Sequence, residues 1–167
     1  FMTHEDSRNF QSEEVRHTVI PTYMGLIKQI DDHIGRLMAF LEQRGRLDDT
    51  MIVFTADHGD YLGDHWLGEK ELFHEPASRI PFIVYDPDSA ADGTRGHSDA
   101  RLIEGIDVIP TFLDSLGADT QPHRLDGRSI LPLLRDGAAD LPWRDAAFSE
   151  AEYAVRKARL ELGLEPH

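Results

Sequence analysis

An α/β fold is predicted by two apolar, β-rich runs, Met51 to Ala56 and Ile80 to Tyr85, set among stretches of helical periodicity. No polar residue interrupts Met51-Ile52-Val53-Phe54. That is the pattern of a strand covered on both faces in a parallel sheet. The run gives way at once to Asp57-His58-Gly59-Asp60. In open α/β sheets ligands bind beyond the carboxyl ends of strands, so chemistry is expected at this point.

The elements follow in chain order. Tyr23, Ile27, Ile30, Ile34, Leu37 and Leu41 recur at intervals of three and four, one stripe of an amphipathic helix. Pro21 suits its first turn and Gly45 its end, which predicts a helix over 21–44. After the turn Asp48-Asp49-Thr50 comes the first strand. A loop rich in glycine, histidine and acids leads to the second strand, with Pro81 at its start and Asp86-Pro87 at its close. The segment from Ala91 to Gly96 is turn chemistry. Residues 107–116 read as a helix with Asp107 near its N-cap and Gly117 just past its end. Residues 129–134 suggest a short helix, and 151–162 have high helix propensity. Two strands are too few for a self-sufficient sheet of this kind, which points to a piece of a larger fold.

Composition narrows the function. The 167 residues carry 31 acidic and 17 basic side chains, a formal charge of −14. Such an excess disfavours a nucleic-acid surface, which needs clustered Lys and Arg. No run approaches the roughly 20 apolar residues that span a bilayer. Cysteine is absent, so any metal ligand must be Asp, Glu or His. An anionic substrate would need a cation or a well-placed basic side chain to invert the local potential.

The densest polar constellation is Asp57-His58-Gly59-Asp60-Tyr61-Leu62-Gly63-Asp64-His65, followed by Lys70, His74, Glu75 and Arg79. A carboxylate and an imidazole at consecutive positions can reach one divalent ion if the backbone turns, and Gly59 supplies the freedom to turn. The same residues also suit an ordinary turn with solvated charges. Glu75 and Arg79, four apart, are expected to form an ion pair. Asp31 and Asp32 belong to the solvated side of the first helix. Trp143 suits packing, and Trp66 is the better candidate for shaping a pocket.

The ordered series Thr55-Ala56-Asp57-His58-Gly59, Leu62-Gly63-Asp64-His65, Lys70 and Arg79-Ile80-Pro81 resembles the signature of the sulfatase and phosphonate monoester hydrolase family, within the alkaline phosphatase superfamily. Outside it, Ile30 to Leu37, Asp107 to Leu113 and Leu125 to Leu134 are similar to further family elements, so the resemblance runs from about residue 22 to 135. The residues from Phe148 to Tyr153 and the helix after them resemble bacterial phosphonate monoester hydrolases.

The resemblance implies an alkaline-phosphatase-like three-layer fold with a mixed, mainly parallel sheet flanked by helices. Residues 1–167 are then expected to be the C-terminal part of the core of the catalytic domain, without its N-terminal half and extreme C-terminal region. It further implies metal-dependent hydrolysis of phosphonate, phosphate or sulfate monoesters. Asp57 and His58 become metal ligands, and Lys70 a catalytic group that binds the transferred anion. His65 either lines the site as a second catalytic candidate or supports it through hydrogen bonds, the favoured role.

The cofactors implied are one divalent ion, Mn, Ca, Mg or Zn, and a formylglycine nucleophile made in a Cys/Ser-x-Pro-x-Arg motif. That motif does not occur in these residues. The expected partner is a small anionic ester, with a homo-oligomer also admitted, and neither nucleic acid nor membrane. Likeness to the phosphonate hydrolases favours a cytoplasmic place over a periplasmic one. Competing readings are an arylsulfatase or choline-sulfatase-like enzyme, a phosphotransferase of the same superfamily, and a non-catalytic binding module.

Overall fold

The computed structural model describes residues 6–70, 72–119, 122–135 and 140–149. Helix α1 is Glu13–Gln43, and it begins well before Pro21. Ser12 caps it, its side chain accepting from the Val15 N–H at 3.4 Å, and Glu13 and Glu14 complement the positive end of the helix. Pro21 therefore lies inside the helix, where it removes an N–H from the ladder. This corrects the start inferred at residue 21: a serine cap followed by two acids outweighs the preference of proline for a first turn. The end falls where Gly45 places it. Gly45 is left-handed at φ 61°, its N–H meets the Glu42 carbonyl at 2.9 Å, and the Arg46 N–H meets that of Leu41 at 2.8 Å. Together these bonds close the helix in a Schellman motif.

Strand β1 (Ile52–Thr55) pairs with β2 (Phe82–Tyr85), Ile52 opposite Tyr85 and Thr55 opposite Phe82. The pairing is antiparallel. The α/β reading holds, but the parallel neighbour inferred from residues 51–56 has no counterpart among the described residues. A continuous apolar run records how well a strand is covered and carries no information on the direction of its neighbour. Even the coverage is partial, since Phe54 and Ile83 face solvent.

Between the strands lies the one-turn helix α2 (Glu75–Ser78). Beyond β2 come α3 (Val108–Ser115) and α4 (Leu131–Arg135). Gly117 ends α3 with the same motif as α1: its N–H meets the Asp114 carbonyl at 2.9 Å, and the Ala118 N–H meets that of Leu113 at 2.8 Å. The predicted helix over 151–162 lies outside the described residues.

The best-buried part of the chain gathers around α3 and α4: Pro110, Thr111, Ile130, Leu131 and Leu133. Asp107, fully buried, is its polar hub. Asp107 occupies the N-cap position of α3 without capping it. Its carboxylate instead accepts from the N–H groups of Glu104 at 2.9 Å and Arg128 at 2.8 Å, and from both terminal nitrogens of Arg144 at 2.6 Å. The carboxylate in turn raises the pKa of the Arg144 guanidinium. Thr111 adds a bond from the Ile130 N–H at 3.0 Å. Trp143 packs here, its indole N–H on the Leu102 carbonyl at 2.7 Å. Asp86, just after β2, holds Arg135 of α4 at 2.8 Å, tying the sheet to this core.

Candidate active site

The chain leaves β1 at Thr55 and delivers Asp57 and His58 to the strand's carboxyl end. Asp57 accepts from the His58 N–H at 3.0 Å, and its other oxygen stands 3.5 Å from His58 Nε2. His58 Nδ1 is 2.7 Å from the Gly59 carbonyl. A carbonyl only accepts, so Nδ1 carries the proton and Nε2 presents its lone pair outward. Lys70 Nζ lies 2.5 Å from that Nε2 and donates to it. Asp57, His58 and Lys70, all singled out in the sequence, thus converge on one point.

Gly59 has a different role from the one its sequence position suggests. Its φ is not among the positive ones. A Cβ at Gly59 would stand 2.0 Å from the Pro76 carbonyl oxygen, and the Gly59 N–H donates to the Ala77 carbonyl at 2.8 Å. The glycine lets α2 press against the end of β1. Freedom to turn is not what the position needs.

The loop that carries Lys70 is closed at its base, where the Tyr61 N–H meets the Glu69 carbonyl at 2.9 Å. Within it Leu62, His65, Trp66 and Glu69 are left-handed, with φ between 46° and 63°. Each such residue costs on the order of 1–3 kcal/mol, so surrounding contacts must hold the loop. Those contacts come from the start of α1 and the turn before it. The Phe10 ring lies so near Gly68 that a Cβ there would fall 2.4 Å from it, and Arg16 stacks over Trp66 at 4.7 Å.

His65 does not reach the point where Asp57, His58 and Lys70 meet through any hydrogen bond described. Its ring stacks on that of His74, centroids 4.3 Å apart, with Tyr61 edge-on to both. The Tyr61 hydroxyl is hydrogen-bonded to His74 Nδ1 at 2.9 Å. Tyr61 is almost wholly buried. This trio was not legible as a unit, because 13 positions without a shared period separate Tyr61 from His74. Glu75 and Arg79 do pair, at 3.4 Å, but in the open, where such a pair contributes little. Asp31 and Asp32 are exposed on α1, Asp32 bonded to Lys28.

The donor set fits part of a divalent-metal site. A carboxylate and an imidazole whose unprotonated Nε2 accepts from Lys70 are 3.5 Å apart, and the Asp57 side chain is open on its outer side. No group of three or more His, Asp or Glu residues able to hold an ion occurs among the described residues. Asp57 and His58 would fill two positions of a coordination sphere, leaving the others to ligands from elsewhere.

The family model of the sulfatases matches residues 3–118. The chain belongs to the sulfatase family. Among curated relatives of this sulfatase chain, the multifunctional alkaline phosphatase superfamily protein PehA of Trinickia caryophylli is 42% identical over 132 residues, 79% of this chain and 25% of PehA. The N-acetylglucosamine-6-O-sulfatase of Bacteroides thetaiotaomicron is 33% identical over 141 residues, 81% of this chain and 25% of that enzyme. Among solved structures, phosphonate monoester hydrolase SpPMH from Silicibacter pomeroyi superposes with a TM-score of 0.79 at 36% identity, covering 93% of this chain and 30% of that one. The alkaline-phosphatase-like α/β fold follows from this likeness. The sulfatase chain spans about a quarter of the length of the curated relatives it matches.

Proposed function

We propose that a full-length enzyme containing this chain hydrolyses phosphonate, phosphate or sulfate monoesters, and that this segment supplies part of its metal and anion site. The observation that carries the reading is the meeting of Asp57, His58 and Lys70 at the carboxyl end of β1, with 3.5 Å between carboxylate and imidazole and 2.5 Å between imidazole and ammonium. Asp57 and His58 would hold one divalent ion, Mn, Ca, Mg or Zn, their oxygen and nitrogen donors being compatible with each. Bound there, the ion supplies Lewis acidity toward the ester oxygen.

The residues of this chain have distinct roles. The proton on His58 Nδ1, held by the Gly59 carbonyl, keeps Nε2 available as a donor atom. Lys70, a compact ammonium on a flexible stem, meets a non-bridging oxygen of the sulfate or phosphonate group and offsets charge that builds as the bond breaks. His65 supports the loop through its ring contact with His74. A formylglycine nucleophile would come from outside these residues.

Phosphonate and phosphate esters are placed first because the relatives include PehA and a phosphonate monoester hydrolase; the N-acetylglucosamine-6-O-sulfatase keeps sulfate esters as the second reading. The deciding experiment substitutes Lys70→Ala in the full-length enzyme and compares kcat/KM for an aryl phosphonate monoester and an aryl sulfate. A fall of at least about a hundredfold, with metal content kept, is expected. Unchanged kinetics on both substrates would remove Lys70 from the site and the reading with it.

A further inference from the structure

Lys70 stands on a loop that is held from two sides, and the two holds meet at α2. On one side, the end of β1 is fastened to α2 by the Gly59 N–H on the Ala77 carbonyl, with no room for a Cβ between Gly59 and Pro76. On the other, the residue just before α2, His74, is bonded through Nδ1 to the Tyr61 hydroxyl. Tyr61 closes the base of the loop through its N–H on the Glu69 carbonyl, one residue before Lys70. These contacts form a ring: His58 and Gly59, then α2, then His74, Tyr61, Glu69 and Lys70, and back to His58 through the 2.5 Å contact with Lys70.

We infer that Tyr61 and His74 are a positioning pair that sets the Lys70 ammonium against the substrate anion, an inference that rests on the role proposed for Lys70. Four left-handed residues make the loop costly to hold, so its geometry depends on such ties. Within the loop Tyr61 is the side chain suited to provide one, being almost wholly buried and directed at α2, whereas His65, Trp66 and Glu69 are exposed. Neither Tyr61 nor His74 touches the reacting group; both act through Lys70. A displacement of an ångström at an ammonium whose task is to offset charge that grows in the transition state is felt more in kcat than in substrate binding.

The test is kinetics with an aryl phosphonate monoester and an aryl sulfate on the full-length enzyme carrying this segment, in the variants Lys70→Ala, Tyr61→Phe, His74→Phe and His74→Asn, with Tyr61→Phe also combined with Lys70→Ala. Tyr61→Phe and His74→Phe are expected to lower kcat about tenfold each, with KM and bound metal unchanged. His74→Asn, whose amide can still bond the Tyr61 hydroxyl, is expected to recover most of the loss. In the Lys70→Ala background Tyr61→Phe is expected to have no further effect on kcat. Full additivity of Tyr61→Phe with Lys70→Ala, or equal losses for His74→Phe and His74→Asn, overturns the inference. If Lys70→Ala itself retains full activity, the proposed function fails first, so the two failures are separable. Should Tyr61→Phe not fold, the contrast between His74→Phe and His74→Asn decides.

Discussion

At Gly59 the Pro76 carbonyl oxygen occupies the space that a Cβ would take. Gly59→Ala is therefore expected to destabilise the chain by about 1–3 kcal/mol, the usual cost of forcing atoms into a packed site, measured by urea denaturation. Asp107 makes a second case. Removing it as Asp107→Ala leaves two backbone N–H groups without their acceptor and the Arg144 guanidinium with Glu104 alone, and a loss of about 1–3 kcal/mol is expected in the same assay. At neither position does the sequence signal give the whole reason for the residue. A glycine after Asp-His suggests a turn, but the requirement is proximity; an aspartate before a helix suggests a cap, and this one closes a capping box with Glu104 in the turn before α3 while also gathering Arg128 and Arg144 from elsewhere. That Asp57, His58 and Lys70 come together was legible because they stand close in one ordered series. The Tyr61–His74 bond was not, because a contact made by loop closure leaves no period in the sequence.

Among the elements, both helix ends marked by glycine, Gly45 and Gly117, fall where the sequence puts them, since a left-handed residue after a helix has few alternatives to glycine. The start of α1 was misplaced because Pro21 is compatible with a first turn and Ser12 with many loops; only the combination of Ser12 with Glu13 and Glu14 resolves it. With Pro21 in the helix interior, Pro21→Ala is expected to raise the thermal midpoint, an alanine there being favoured over proline by about 3 kcal/mol. A lowered midpoint would mean that the backbone at Pro21 is itself needed for packing. Strand existence was legible from composition; strand direction was not, because pairing with β2 depends on how the intervening loop folds back.

For the whole molecule, the exposed surface is the main fact. No residue of α1 is buried, and Ile27, Ile30 and Leu37 of its apolar stripe are about half exposed. Ile83 on β2 and Leu116 after α3 are open as well. Patches of this kind mark surfaces made for packing. The 167-residue chain on its own is accordingly expected to bind a hydrophobic reporter dye strongly and to turn over neither aryl sulfates nor phosphonate esters. Turnover by the chain alone, abolished by Asp57→Ala, would contradict the partial donor set.

The buried Asp107 hub bears on where this fold can be divided. The sulfatase family model stops at residue 118, yet the groups that satisfy Asp107 and Thr111 lie at Arg128, Ile130 and Arg144. A boundary drawn from sequence similarity would cut through that knot of bonds and take Arg128, Ile130 and Arg144 away from Asp107 and Thr111. The unit of recognition and the unit of folding end at different residues, and anyone trimming this chain for expression should cut by the second.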